Sequence, residues 1–348
     1  MHFKNIQERI QKLLDADLPF FVFRKGGSTT VQILQQKNLK LHKRQHDTLT
    51  CCCFSKFKNN DNQYFIYGEV YDEFTIDFHA SIDEFKSDFF GETTLADRLN
   101  HMNLVKKGVA AIASGKLEKV VLSRKRDIQT TLSYPQIADR LFKAYPDNHT
   151  YFFHHPKVGT WCGSTPEVLL SYSGNILNTV SLAGTALFNA KKDHVWGEKE
   201  RHEQQIVTDS IVSILKYHGT ENVQTDGPKT IRSGDLIHLK TEISAAAKQD
   251  QISSILSDLH PTPAVCGLPK DVALDLILEH ENYDRAFYTG YFGIISPKES
   301  DYYVNLRCMR LKENIATIYA GGGITLQSDP ELEFLETENK MKAMMRVL

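Results

Sequence analysis

Long apolar runs are missing from this sequence: no stretch reaches the roughly 20 residues that an α-helix needs to cross a bilayer, which excludes a helical membrane span. Strong charge of either sign is missing too. Lys and Arg number 41 against 43 Asp and Glu, a net charge of −2, and the basic run from Lys37 to Arg44 is short. The electrostatic footprint of a nucleic-acid-binding protein is therefore absent. Cysteine is sparse and unpatterned. The six residues, three of them adjacent at Cys51, Cys52 and Cys53, have neither metal-site spacing nor the look of a disulfide framework, and they read as reduced and structural. No repeat, linker or low-complexity segment divides the chain, so its 348 residues are expected to form one domain, 1–348. The opening MHFKNIQERIQKLL has the spacing of an amphipathic helix rather than of a signal peptide, and a cytoplasmic protein is expected. The absence of heptads and of a large exposed apolar stripe points to a monomer.

What is present is hydrophobic periodicity of two kinds. Up to about residue 94, short apolar runs such as PFFVFRKGG and QYFIYGEVY alternate with polar turns, as strands of a mixed sheet would, and no motif stands out. From Leu95 to Gly115 the apolar spacing is helical and ends at a glycine. KVVLSRKRDI then reads as a strand and YPQIADRLFKAY as a helix. TYFFHHP, EVLLSYSGNILNTVSLAGT, DLIHLKTEISAAA, FYTGYFGIIS and YYVNLRCMRLKENIATIYAGGG are mostly strands, with SGN and KEN as hairpin turns. Further helices are predicted at about Lys191 to His218, at KDVALDLILEHE and at the C-terminal end. Hairpins outnumber strand-helix-strand crossovers, which predicts an α+β architecture of large antiparallel sheets flanked by helices.

The last helix raises the functional question. In SDPELEFLETENKMKAMM, Asp329 is placed to cap the helix and Pro330 to open it. Glu333, Glu336 and Lys340, at offsets i, i+3 and i+7, share one face, while Leu332, Leu335, Met341 and Met344 are expected in the core. Such a stripe is either a solvated face or one wall of a site. The preceding YAGGGIT, with Gly321, Gly322 and Gly323, would let a ligand approach the backbone closely. The helix EKERHEQQIVTDSIVSIL offers a second acidic stripe, Glu200 and Glu203. Carboxylates from two helices, completed by substrate oxygens and water, suit Mg²⁺ as a hard octahedral ion.

Other candidates lie on strands. Lys119 opens a strand whose alternation puts Lys119, Val121 and Ser123 on one face. A solvated strand end would be inert, whereas a lysine beside other cations or apolar walls loses its proton readily and acts as a base. Glu167 follows a proline at the entry to an apolar strand, where partial burial would raise its pKa toward that of a general acid. His238 and Arg307 each interrupt an apolar strand pattern. They are either satisfied polar groups or, for Arg307, a bidentate partner for a carboxylate.

KVVLSR, GSTPEVLL, SLAGT, RHEQQIV, HLKTE, HPTPAVCGLPK, YDRAFYTGYFG, VNLRC, YAGGGIT and ELEFLETENK follow one another in the order seen in the chorismate-binding enzymes. The chain resembles that family from about Leu95 to its C-terminus, residues 1–94 being only generally compatible. The resemblance implies a single α+β domain of two large, mostly antiparallel β-sheets facing each other with helices outside, 95–348 being the chorismate-binding catalytic region. It implies Glu203 and Glu336 as Mg²⁺ ligands, with Glu333 and also Glu200 contacting the ion through water. Lys340, Arg307 and the amide of Gly321 match groups that hold the substrate carboxylates, and Gly184 and His238 match positions lining the pocket. The implied substrate, chorismate, carries two carboxylates, for which a metal, an arginine and a lysine are the expected complement.

Family members that add ammonia at C2 usually carry glutamine where this chain has Lys119, and aminodeoxychorismate synthases carry lysine where it has Ala183. Salicylate synthases share Lys119 and Glu167 but tend to carry threonine at the place of Ala264. The resemblance thus implies conversion of chorismate to isochorismate, with Lys119 as general base and Glu167 as general acid, for menaquinone or siderophore biosynthesis. Salicylate formation with loss of pyruvate is the alternative within the family; a silent chorismate binder, or a subunit needing a partner, is the alternative outside it. The variant Ala264→Thr is expected to gain pyruvate and salicylate formation, assayed on chorismate, while the parent makes essentially isochorismate alone. Pyruvate release by the parent in step with chorismate loss would contradict this.

Overall fold

The apolar runs of the sequence become the strands of two antiparallel sheets. The computed structural model describes residues 5–43, 48–58, 63–78, 93–190, 194–233 and 236–348. One sheet has nine strands in the order β13 (Gly267–Leu268), β6 (Lys119–Gln129), β17 (Ile315–Ile324), β16 (Arg307–Lys312), β8 (Gly159–Thr165), β7 (His149–His155), β1 (Phe20–Arg24), β2 (Thr30–Gln35), β5 (Val70–Thr75). The other has eight: β11 (Glu221–Ser233), β12 (Leu236–Ala246), β10 (Ile176–Leu187), β9 (Val168–Ser173), β15 (Glu299–Val304), β14 (Tyr291–Ile295), β3 (Cys51–Ser55), β4 (Gln63–Tyr67). The SGN turn joins β9 to β10 with both Gly174 and Asn175 at positive φ, 59° and 64°, the geometry that matches strand twist in a tight hairpin.

An aromatic layer holds the sheets face to face. Phe21, Phe23, Tyr151, Phe153 and Trp161 of the first sheet meet Phe54, Phe292 and Tyr303 of the second. Phe54 stacks on both Phe153 and Phe287 with ring centroids 4.3 Å apart in each pair. Full burial stabilises each such ring by about 1.5–3 kcal/mol. Helices cover the outer faces: α1 (Ile6–Asp15), α3 (Tyr134–Ala144) and α7 (Pro330–Met345) pack on the nine-stranded sheet. On the eight-stranded sheet lie α4 (Glu198–Tyr217) and α5 (Ile252–Leu259). The end formed by β6 and β17 is covered by α2 (Leu95–Ala113) and α6 (Lys270–His280).

Central strands are thus buried on both sides, which is why FFVF and CCCF show no alternation. Cys51 and Cys53 pack under α4 and α5 while Cys52 joins the aromatic layer, and all six cysteines are free and buried. Among the described residues no helix is long and apolar enough to cross a membrane.

Several expectations are corrected. Among the described residues, the first ninety build no mixed sheet of their own: β1, β2 and β5 extend one antiparallel sheet, β3 and β4 the other. The long helix begins at Glu198 rather than near Lys191, because Trp196 just before it is buried against Ile237 and Leu239; residues 191–193, like Arg44, lie outside the described residues. Leu332 and Leu335 are 66% and 45% exposed. The inward arc of α7 runs instead through Glu333, Phe334, Thr337, Met341 and Met344, and the two leucines fall on its far side. Strand β11 and helix α5 had no counterpart in the sequence reading.

A buried ion pair ties the pocket-side elements together. Arg285 engages Glu281 bidentately (Nε to Oε2 2.7 Å, Nη2 to Oε1 2.6 Å) and donates to the carbonyls of Val121 and Val265. Glu281 Oε1 also accepts from Ser123 N and Oγ. Removing one partner strands a buried charge, so Glu281→Leu should lose about 3–5 kcal/mol of unfolding free energy in urea titrations. A loss under about 1 kcal/mol would show that the pair is dispensable.

Candidate active site

Between the ends of the two sheets lies a cleft of about 700 Å³, counting the open space at its mouth. Nine of the residues singled out from the sequence line it: Glu167, Gly184, Glu203, His238, Ala264, Arg307, Gly321, Glu336 and Lys340. Lys119 lies just behind its wall, joined to it through its ion pair with Glu203, and Glu333 lies beside Gly322 next to the lining residue Glu336.

Each of the three predicted metal-site carboxylates is matched to a lysine. Lys119, fully buried at the start of β6, places Nζ 2.8 Å from Glu203 Oε1 on α4, without the direction of a formal hydrogen bond. Glu336 pairs with Lys340 one turn along α7 at 2.7 Å, and Lys340 also donates to the carbonyl of Gly321. Glu333 pairs with Lys199 at 2.6 Å, a lysine that the sequence reading passed over although it adjoins Glu200. Lys119 is therefore neither a solvated strand end nor a lysine among cations and apolar walls, because its partner is a carboxylate.

The glycine triplet of β17 makes this convergence possible. A Cβ on Gly323 would run into Glu203 Oε1, and one on Gly322 would stand 2.9 Å from Glu333 Oε2 and 3.5 Å from Glu336 Oε1. Gly321 contributes its carbonyl to Lys340; the contact expected of its amide is with a substrate. Among the described residues no three acidic, His or Cys side chains form a ready-made metal cluster as they stand, each carboxylate being drawn to its own lysine. Yet Glu333, 2% exposed, leaves Oε2 without a partner while Ser328 and Lys199 both bind Oε1. Glu200, half-buried, packs over Gly184 instead of joining the three.

Burial acts differently on the carboxyls. It pushes Glu167 up to about 8, against the opposing pull of Lys119, Lys340 and Arg307, so this group is held largely protonated at neutral pH. Burial raises Glu203 as well, but Lys119 above all outweighs it and the net shift is downward. Glu333 is raised by burial and by its neighbour Glu336, with Lys199 and Ser328 opposing.

Facing these carboxyls is a cationic wall. Burial, then Arg307 and Lys340, hold His238 well below its usual range, and it is neutral. A guanidinium only donates, so the 2.7 Å contact from Arg307 Nη2 fixes His238 Nε2 as acceptor and leaves Nδ1–H to donate to the Gly184 carbonyl at 3.0 Å. Gly184, at φ 71°, forms the bulge in β10 that turns this carbonyl toward His238. Leu182, Tyr288 and Thr289, which the sequence shows only as parts of the motifs SLAGT and YDRAFYTGYFG, also line the cleft.

A family model described as chorismate binding enzyme matches residues 33–348. The chain belongs to the chorismate-binding enzymes. The match begins well before Leu95, where motifs first become legible, since the early strands complete both sheets of the fold. Among the curated chorismate-binding relatives, the isochorismate synthase EntC of Escherichia coli (strain K12) is 32% identical over 260 residues, 70% of this chain and 66% of that protein. The isochorismate synthase DhbC of Bacillus subtilis (strain 168) is 30% identical over 272 residues, 72% of this chain and 67% of its own length. The chain thus spans about two thirds of the length of these relatives. Among solved structures, a putative 2,3-dihydroxybenzoate-specific isochorismate synthase from Bacillus anthracis superposes with a TM-score of 0.80 at 22% identity, over 98% of this chain and 99% of that one. The menaquinone-specific isochorismate synthase MenF of Escherichia coli also gives 0.80 at 22%, over 95% and 88%. These two likenesses are of fold.

The position of Glu167 yields a pH signature. Its pKa is raised in the folded state from an ordinary 4.5 to about 8, so its contribution to stability is fully present below the unfolded value and is lost as pH rises through the folded one. Relative to the parent, Glu167→Gln should gain stability between about pH 5 and pH 8, by at most on the order of 4–5 kcal/mol, in urea titrations across that range. A parent-variant difference that stays flat would contradict a buried neutral carboxyl.

Proposed function

We propose that this chain is an Mg²⁺-dependent isochorismate synthase, an isomerase that adds water at C2 of chorismate and removes the C4 hydroxyl. The observation that carries the reading is the pair of environments at one site: a carboxyl kept protonated by burial, Glu167, on the cleft wall, and a fully buried lysine, Lys119, just behind it, paired with the lining residue Glu203 and close enough to Glu167 to influence it. Lys119, as general base, takes a proton from water as the oxygen attacks C2. The ring double bonds shift, the C4–O bond breaks, and Glu167 gives its proton to the departing hydroxyl, which leaves as water. Arg307, steadied by neutral His238, and Lys340 hold the substrate carboxylates, giving orientation and charge complementarity.

Glu203, Glu333 and Glu336 fit a hard divalent cation: all their donors are oxygens, and Glu333 keeps an unpartnered buried one beside Glu336. These three would hold Mg²⁺, which when bound supplies positive charge for the ring carboxylate. We take the enzyme to be a cytoplasmic monomer acting on a small dianion, with no nucleic-acid or membrane partner. Relatives of this chain include both menaquinone-specific and vibriobactin-specific isochorismate synthases, and both destinations suit the product.

Purified protein given chorismate and Mg²⁺ without ammonia should release isochorismate, identified by chromatography and mass. Lys119→Ala and Glu167→Ala should each lower kcat by at least ~10²-fold. Near-normal turnover by either variant would remove the mechanism, and no product from the parent would favour a silent binder or a missing partner subunit.

A further inference from the structure

Lys199 stands apart from the other two lysines paired to carboxylates. It is not among the residues lining the chorismate cleft and instead lines a separate opening with Glu118, His202 and Gln327. Its Nζ binds Glu333 Oε1 at 2.6 Å, and Ser328 Oγ donates to the same oxygen at 2.6 Å. Oε2 of this buried carboxylate is left with no partner and turned toward Gly322, on the side where Glu336 lies. Burial works against the charge of Lys199, but Glu333, Glu203 and Glu336 together more than offset it, which places all three carboxylates within its electrostatic reach.

We propose that Lys199 is a positioning residue that selects the cation: by occupying Oε1 it limits Glu333 to a single free oxygen. The inference rests on the magnesium reading above. Mg²⁺ takes six ligands at short, near-octahedral spacing, keeps several waters and accepts carboxylates one oxygen at a time. Ca²⁺ takes six to eight oxygens and readily accepts both oxygens of one carboxylate. A carboxylate with one oxygen fastened to an ammonium and a hydroxyl therefore favours the smaller ion. Removing the ammonium leaves Ser328 as the one donor to that oxygen, opening it to bidentate binding, and adds one uncompensated negative charge, two changes that favour Ca²⁺ in particular.

The test is competition for the site, followed on the full-length protein by displacement of Mn²⁺ in EPR titrations with Mg²⁺ and with Ca²⁺. Lys199→Met should raise the Ca²⁺ affinity relative to Mg²⁺ by at least about tenfold over the parent, and Lys199→Arg, which keeps the donor, should hold the parent ratio. Ser328→Ala should shift the ratio in the same direction by less, and it decides the matter should Lys199→Met melt well below the parent. A ratio unchanged in Lys199→Met and Ser328→Ala, with Mn²⁺ still bound, would overturn the role of Lys199 alone. Failure of the parent to bind any of the three ions would overturn the magnesium reading and this inference with it.

Discussion

Pairing of three carboxylates with three lysines around a glycine strand is the constraint on which the rest of the site depends. An uncompensated carboxylate taken out of water costs several kcal/mol; Glu333 and Glu336 are close enough for their charges to interact, and Glu203 shares the electrostatic reach of Lys199 with them. The fold accommodates them by drawing one lysine from β6, one from α4 and one from α7. This arrangement requires α7 to dock on β17 at one height and rotation. Met341 and Met344, clustered with Ala316, Ile318 and Ala320 of β17, supply that docking, so apolar packing sets where the charges stand.

Two glutamates in the same cleft show how the environment divides the chemistry. Glu203 lies 2.8 Å from Lys119 Nζ, is shifted downward by that neighbour, and remains an anion suited to a cation. Glu167 has no such close partner, so burial decides and it remains an acid. One residue type thereby serves as ligand and as proton donor, the separation of roles that acid-base catalysis at neutral pH needs. Behind the cleft, the Arg285–Glu281 pair fixes β6 against the loop carrying Ala264 and Val265, so the lining residues Val121, Ala264 and Val265 are held by one guanidinium and by the bond from Val121 N to the carbonyl of Cys266.

Much of this was legible in the sequence because the chemistry sits on regular elements. The helix cap at Asp329, the strand period around Lys119 and the hairpin turns all act locally, and they hold in the structure. What stayed hidden depends on long-range contact. Lys199 carries no mark distinguishing it from any exposed helix lysine, since its partner lies over a hundred residues away on α7. Leu332 and Leu335 look like core residues, yet the arc that faces inward is chosen by β17 and α2, which no local pattern reveals. Strand β11 is mostly exposed, carries Gly227 and Pro228 and is bulged twice against β12, so its period of two is broken. Family motifs begin at Leu95 because the earlier strands contribute packing, where many apolar residues serve equally well, rather than chemistry.

The joint action of Lys119 and Glu167 is tested most directly by running the reaction in oxygen-18 water and locating the label in the product by mass spectrometry. Attack of lysine-activated water at C2, with the C4 hydroxyl leaving as water, places the heavy oxygen in the new C2 hydroxyl of isochorismate. Product carrying the original C4 oxygen at C2, without solvent label, would mean that the hydroxyl migrates within the substrate, and it would contradict the roles assigned to both residues.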